Sequence, residues 1–288
     1  MRHGIVLFTS DRGITPAQAA AAAEERGFDA FYVPEHTHIP VKRAAAHPRT
    51  GDATLPDDRY LRTLDPWVAL ATAAAVTTRI RLGTAVALPV ESDPITLAKT
   101  IATLDHLSGG RVTVGAGFGW NTDELADHGI PAARRRTALR EYVEAMRALW
   151  TQQEAAYDGE FVTFGRCWAF PKPIQPHLPL IIGAAGGPKT LAWIVSHADG
   201  WMTTPGERDI SAKAAALRQA WAAAGRPGAP DIRVLIAARP TAADLATWAE
   251  AGVAELVWGL PDAPPDQVEA YLDRLAARLA ITAAGRPG

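Results

Sequence analysis

A (β/α)8 barrel, the TIM-barrel architecture, is the fold class this sequence predicts, and three observations predict it. Short apolar runs of strand length alternate with Ala-rich helical segments along the whole chain. The runs are continuously apolar rather than apolar at every second residue, as expected of parallel strands buried on both faces. Eight strand–helix pairs can be traced, more than a doubly wound sheet needs, and 288 residues is an ordinary length for one barrel. One domain over residues 1–288 is therefore expected.

Each element has its own signal. Residues 4–9 (GIVLFT) form the first expected strand. Thr15 can cap a helix with Pro16 in its first turn, and Gly27 stops it. Residues 28–33 (FDAFYV) are the second strand, and Asp65-Pro66 opens a helix that runs to Thr78. Residues 80–88 are the third strand; Asp93-Pro94 opens the next helix, which ends at Ser108-Gly109-Gly110. Residues 111–115 are the fourth strand, and residues 134–150 carry Leu139, Val143, Met146 and Trp150 at helical spacing. Residues 180–182, 200–204, 232–238 and 254–260 are strands five to eight. Their helices are expected at 189–197, 211–224, 242–252 (capped by Thr241) and 266–279, with 282–288 fraying.

Two excursions interrupt the alternation. Residues 37–64 follow strand two, and residues 151–178, with Pro171, Pro173 and Pro176, precede strand five and carry a small hairpin at 157–161. Loops of that length usually have a task such as covering a site, and both can lie at the C-terminal end of the barrel, where the chemistry of this fold is found.

Composition narrows the function. With 48% hydrophobic and 21% charged residues and a net charge of −2, nothing argues for nucleic acid or an anionic membrane as partner. The single cysteine, Cys167, excludes an intramolecular disulfide and a Cys-based zinc cluster. No apolar stretch reaches the roughly 18 residues of a membrane span, and the N-terminal apolar run is short for a signal peptide. A cytoplasmic location and a small-molecule substrate are expected.

The residues just past the strand ends then decide the chemistry. No Lys stands there to form a Schiff base, and no G-x-S-x-G elbow offers a nucleophile. Glu35, His36 and His38 could suggest a metal, but no second cluster of ligands accompanies them, so no metal is expected. What remains is a mouth with one well-placed His, Thr and Ser hydroxyls, several Trp and two Gly-rich segments. Gly115-Ala116-Gly117-Phe118-Gly119 lacks the acidic residue of a dinucleotide site; its small residues could let a planar ring lie against the barrel. Ala184-Ala185-Gly186-Gly187-Pro188, between strand five and its helix, presents backbone N–H groups at a helix N-terminus, a geometry suited to phosphate. Together these suit a large phosphorylated cofactor that performs the chemistry itself. Trp67, Trp120 and Trp201 suggest an apolar substrate, unless they belong to the core.

Five segments resemble the bacterial luciferase-like superfamily, whose members form (β/α)8 barrels and use FMN or the deazaflavin coenzyme F420. They are FDAFYVPEH, TLDPWVALATAAAVTTRIRLGTAV, PITLAKTIATLDHLSGGRVTVGAGFGWNTDEL, FPKPIQPHLPLIIGAAGGP and ADGWMTT. The excursion at 37–64, with IPVKR and LPDDRYLRTLDP, is more similar to the F420-dependent branch. The resemblance implies that His36 is the catalytic residue near the reactive ring carbon and that Glu35 faces the cofactor. It implies a non-proline cis peptide behind the ring within Thr84, Ala85 and Val86, and cofactor contacts at Gly117, Trp120, Thr203 and Thr204. Ala184, Ala185, Gly186, Gly187 and Pro188 match its phosphate-binding turn. Trp120 stands where a sugar-phosphate dehydrogenase of the family has a catalytic acid, a departure that puts a sugar phosphate in doubt. The expected activity is F420-dependent hydride transfer, with an FMN-dependent monooxygenase or a non-catalytic flavin-binding barrel as alternatives; a cofactor-independent isomerase would have to use Glu35 as its base. The basic residues Lys42, Arg43, Arg49, Arg59 and Arg62 mildly favour F420, and a homodimer is the implied assembly.

Overall fold

The structure, a computed structural model, describes residues 1–281. Among them, eight parallel strands close into a barrel in the order β1-β10-β9-β8-β7-β4-β3-β2. In chain order these are β1 (Arg2–Val6), β2 (Ala30–Val33), β3 (Arg81–Thr84), β4 (Val112–Ala116), β7 (Leu180–Gly183), β8 (Gly200–Met202), β9 (Asp231–Ile236) and β10 (Val253–Gly259). The expected hairpin is present in the second excursion as β5 (Ala155–Asp158) and β6 (Thr163–Cys167), paired antiparallel. The tail at 282–288 lies outside the described residues.

The helices ring the barrel, and their starts follow the caps the sequence spelled. In α1 (Pro16–Glu25), Thr15 and Gln18 form a reciprocal capping box. Asp65 and Asp93 open α2 (Pro66–Val76) and α3 (Pro94–Leu107) by accepting the N–H groups of Val68 and Thr96, each at 2.8 Å, with Pro at the first helical position. A six-residue helix, α4 (Thr122–Asp127), was not anticipated, and α5 (Arg135–Thr151) follows it. The remaining four are α6 (Pro188–His197), α7 (Ile210–Ala223), α8 (Ala242–Glu250) and α9 (Pro265–Leu279). No helix among the described residues is long and apolar enough to cross a membrane.

Strand bounds differ from the apolar runs for a physical reason: the run reports burial, whereas the strand reports pairing. Leu7 is buried beyond the end of β1, and β3 stops at Thr84, where the chain bends away through Ala85 and Val86. The barrel interior is mixed in character. Ala30, Tyr32, Ile181, Met202 and Val257 do form an inner cluster. Beside it, however, Arg233 and Glu255 are buried with Tyr32 between them: the Tyr32 hydroxyl donates to Glu255 Oε1 at 2.7 Å and accepts from Arg233 Nη1 at 2.6 Å. Asp231 takes the other face of Arg233 at 2.7 Å, and Arg2 closes the network at the bottom of the barrel. Gly83 is required here, since a Cβ would come within 2.7 Å of the Tyr32 ring.

Buried charges of this kind are stable only while every partner remains in place. Replacing Tyr32 by Phe leaves Arg233 and Glu255 each short of a hydrogen bond. The variant should lose about 2–3 kcal/mol of stability, read as a lower denaturant midpoint.

Candidate active site

The C-terminal ends of β2, β3 and β4 make one continuous structure at the barrel mouth. Thr84, buried at the end of β3, donates its hydroxyl to the Gly115 carbonyl at 2.6 Å and accepts the Gly115 N–H at 3.0 Å. The next peptide, Ala85–Val86, is cis, within the segment where the resemblance places such a bond. Backbone hydrogen bonds from Ala85 to Val33, from Glu35 to Val86 and from Ala87 to Gly115 hold this bend between its two neighbours. The Val86 side chain lies against Gly183 and Gly117, whose added Cβ atoms would meet it at 2.3 and 2.8 Å. The small residues of the β4 end thus seat Val86, rather than leaving the bare surface for a planar ring that the sequence suggested.

His36 follows β2 by three residues. Its Nδ1 lies 2.8 Å from Glu124 Oε2, and its Nε2 bonds to no described residue. Glu124 is fully buried on α4 and is held by three donors: His36, the Thr37 N–H at 3.0 Å and the Asn121 side-chain amide at 3.3 Å. The imidazole therefore shares a proton with Glu124 on one nitrogen and offers the other to the mouth. The carbonyl of His36 is fixed in turn by the Thr63 hydroxyl at 3.0 Å.

Two more carboxyls stand behind this pair. Glu35 is buried, and its Oε2 accepts the Leu88 N–H at 2.6 Å. It braces the bend from behind, rather than presenting its carboxylate to a cofactor as the resemblance implied. Glu91, at the end of a 3-10 turn (Pro89–Glu91), feels the charge of Glu124, while its Oε2 accepts from the Thr37 hydroxyl at 3.3 Å. Burial pushes the Glu35 carboxyl up to about 7 and Glu91 up to about 9, with the charge of Glu124 adding to both.

The first excursion closes the mouth with aromatic rings. His47 stacks edge-on to Trp120 at 4.6 Å and to Tyr60 at 5.1 Å; Trp120 and Tyr60 both flank His36, at 5.6 and 5.5 Å. The His47 ring is tied to the Tyr60 hydroxyl at 3.0 Å. Trp67 and Trp201, which the sequence left as pocket candidates, are buried in the core, and Trp120 alone of the three faces the site. The basic residues of this excursion are also largely spoken for: Arg59 pairs with Asp57 at 2.8 Å and Arg62 with Asp11 at 2.7 Å.

The Gly-rich turn lies across the same mouth. Trp201 supports it from below by donating to the Ala184 carbonyl at 2.8 Å. Gly187 caps α6, Pro188 is its first residue, and space beside Gly187 is open. The Gly187 N–H is turned back onto the Ala185 carbonyl, whereas the Gly186 N–H donates to a carboxylate, Glu207 Oε2, at 3.3 Å. The Thr204 hydroxyl donates to the same oxygen at 2.9 Å, and Lys213 pairs with Glu207 Oε1. The turn thus holds an anionic group, with a cation behind it, and Arg136 reaches the α6 first turn through Thr190 at 3.1 Å. Thr203 is buried and accepts the Leu235 N–H at 3.0 Å, so its hydroxyl serves the sheet.

Sequence reading placed His36, Trp120, Val86 and the Gly186-Gly187 turn at this mouth but passed over Glu124, Glu91 and Glu207. For Glu124 a signal existed: Asn121 followed by a Glu three residues on is a helix-start pattern, and the short helix it opens carries the carboxylate. Glu91 and Glu207 gave none, since their partners come from other loops. The raised carboxyls have a measurable consequence. A carboxyl with a raised folded-state pKa binds its proton more tightly in the native state, so stability falls as pH rises through its titration. The denaturant midpoint should decline between about pH 5 and pH 9, and Glu91→Gln should flatten the upper part of that decline.

Comparison with known proteins identifies the family. The family model described as luciferase-like monooxygenase matches residues 15–286. The chain is 67% identical over 280 residues to an uncharacterised protein of Mycobacterium tuberculosis, covering 97% of this chain and 99% of that one. It is 32% identical over 216 residues to the F420-dependent glucose-6-phosphate dehydrogenase of Kineococcus radiotolerans, covering 73% of this chain and 59% of that protein. Among solved structures, a monooxygenase from Streptomyces bottropensis superposes with a TM-score of 0.76 at 22% identity, over 97% of this chain and 99% of its own. These similarities make the protein an oxidoreductase, and the chain belongs to the luciferase-like monooxygenase family.

Proposed function

We propose that this protein is an F420-dependent oxidoreductase that moves a hydride between the deazaflavin ring and an organic substrate lying against Trp120, Tyr60 and His47. The observation that carries this reading is His36, locked through Nδ1 on a buried carboxylate and free at Nε2, across the barrel mouth from a turn whose Gly186 N–H already donates to a carboxylate. The name of the Kineococcus relative supports F420 as the hydride carrier.

The residues present fit such a cofactor. Its phosphate would take the place of the Glu207 carboxylate on the Gly186 N–H, with Lys213 as counter-charge, and Val86 would lie behind the ring. When bound, the deazaflavin ring supplies or accepts the hydride. The chain does the rest. Glu124 fixes the His36 ring and exchanges the Nδ1 proton, while Nε2 gives a proton to the substrate heteroatom or takes one from it. The aromatic wall with Trp120 excludes water and orients an apolar substrate. As a small-molecule enzyme of this kind, we place it in the cytoplasm.

Titration of the purified protein with F420 and with FMN, followed by absorbance, tests the cofactor. F420 should bind with a Kd on the order of 1 µM, at least about tenfold tighter than FMN. Tighter binding of FMN, or no binding of F420, overturns the reading. His36→Ala should leave the F420 Kd in place and lower turnover roughly 10²- to 10⁴-fold.

A further inference from the structure

We propose that the Tyr60 hydroxyl, aimed by His47, donates a hydrogen bond to the substrate's reacting oxygen, and that the substrate is an alcohol held between Tyr60 and His36. The inference rests on the reading of His36 as the group that exchanges a proton with substrate. It adds a second contact to the reacting oxygen, and with it a substrate class.

One backbone donor sets the direction of every hydrogen bond here. The Arg49 N–H donates to His47 Nδ1 at 3.1 Å, so that nitrogen carries a lone pair. A neutral imidazole has one N–H, which therefore stands on Nε2. His47 Nε2 lies 3.0 Å from the Tyr60 hydroxyl and donates to it. The phenol oxygen is the acceptor in that pair, and its own proton is left over. Among the described residues, none but His47 bonds this hydroxyl.

The surroundings keep both groups in these states. His47 is 6% exposed, and burial holds its ring below the usual histidine range, so it stays neutral. A proton on Nδ1 would set one N–H against another. Tyr60 is half-buried, and burial raises its phenol, so the hydroxyl keeps its proton. Tyr60 rides on a 3-10 turn (Asp58–Leu61) opened by Asp57, which accepts the Arg59 N–H at 3.1 Å. Its ring packs 4.7 Å from Phe8. His47 is tied at its backbone, donating its N–H to the Asp52 carbonyl at 2.6 Å and accepting the Gly51 N–H at 2.8 Å. The Tyr60 ring lies 5.5 Å from His36 and 6.4 Å from Trp120, so the spare proton is offered at the mouth.

His36 supplies the complementary half. Its Nδ1 proton is held by the Glu124 carboxylate, which leaves Nε2 as an acceptor. A donor and an acceptor side by side match a hydroxyl group, which accepts one hydrogen bond and gives one. An ether or a carbon–carbon double bond cannot use both. In oxidation the hydroxyl proton passes to His36 Nε2, and the hydride on the same carbon passes to the oxidised deazaflavin. The O–H electron pair becomes the second bond of the carbonyl. Tyr60 keeps its proton and stabilises the oxygen while negative charge builds there. The imidazolium stays paired with Glu124 until product leaves, then gives its proton to solvent. Reduction of the carbonyl runs the same steps in reverse.

Nitrogen-15 NMR of the cofactor-free protein at about pH 7 tests the donor direction, with the His47 signals assigned by their loss in His47→Phe. Wild type should show His47 protonated at Nε2 and bare at Nδ1. The opposite tautomer, or a doubly protonated ring, overturns the proposal. This readout needs no cofactor, so its failure is distinct from a failure to bind F420. In the F420-loaded protein, reduction of F420 by benzyl alcohol, cyclohexanol and 1-phenylethanol reads the substrate class. Turnover of at least one is expected, and turnover of none overturns that class. With that alcohol, Tyr60→Phe should lower kcat about 100-fold while KM and the F420 Kd stay within about threefold of wild type. His47→Phe, which keeps a ring against Trp120, should cost about tenfold, and the double variant no more than Tyr60→Phe alone. Losses that multiply in the double variant, or wild-type kcat in Tyr60→Phe, also overturn it.

Discussion

The 2.8 Å contact between His36 and Glu124 is the interaction on which this site depends. A fully buried carboxylate must be matched by donors, and Glu124 finds them on two separate loops. His36 and the Thr37 N–H come from the segment after β2; Asn121 comes from the start of α4 after β4. Satisfying one charge therefore fixes both strand-end loops relative to each other, and with them the Trp120 ring that flanks His36. The orientation of the imidazole follows from that constraint, since Nδ1 is fixed on Glu124.

The same logic divides the barrel into two ends. At the bottom, Arg233, Glu255, Asp231 and Arg2 pair around the Tyr32 hydroxyl, so charge inside the barrel is neutralised and the strands are pinned. At the mouth, Glu35, Glu91 and Glu124 crowd together, and among the described residues no Lys or Arg pairs with them. A cluster of that composition works against folding at neutral and alkaline pH. Glu207 follows a related pattern across the mouth: with Lys213 it occupies the Gly186 N–H that an incoming phosphate would use. The turn is thereby kept satisfied, and under the proposed function ligand binding would exchange one anion for another.

How much of this was legible in the sequence follows from the range of each interaction. The barrel was legible because parallel strands and amphipathic helices leave local patterns, and because Asp65-Pro66, Asp93-Pro94 and Thr15-Pro16 spell helix starts within a few residues. His36 and the Gly186-Gly187 turn were legible because each sits just past a strand, where the fold concentrates chemistry. The carboxyl cluster was not. Glu124 meets His36 across 88 positions, and Glu91 meets Thr37 across 54, so even the helix-start pattern that places Glu124 on a short helix gives no sign of which side chain it will meet. Arg233 and Glu255 were hidden for the opposite reason, since a charge within an apolar strand gives no sign locally of the partners that neutralise it. Trp67 and Trp201 show the converse error, because an aromatic residue reads the same in a pocket and in the core.

The central claim is that the buried carboxylate behind His36 is chemically active rather than only a support, and Glu124→Gln isolates it. Glutamine keeps the size of the side chain and can hydrogen-bond the ring, but it cannot exchange the Nδ1 proton. With F420 bound and a turned-over substrate in hand, single-turnover hydride transfer should fall at least about 100-fold in this variant while the F420 Kd stays within about twofold of wild type. Hydride transfer at the wild-type rate in a folded, F420-bound Glu124→Gln protein would contradict the account.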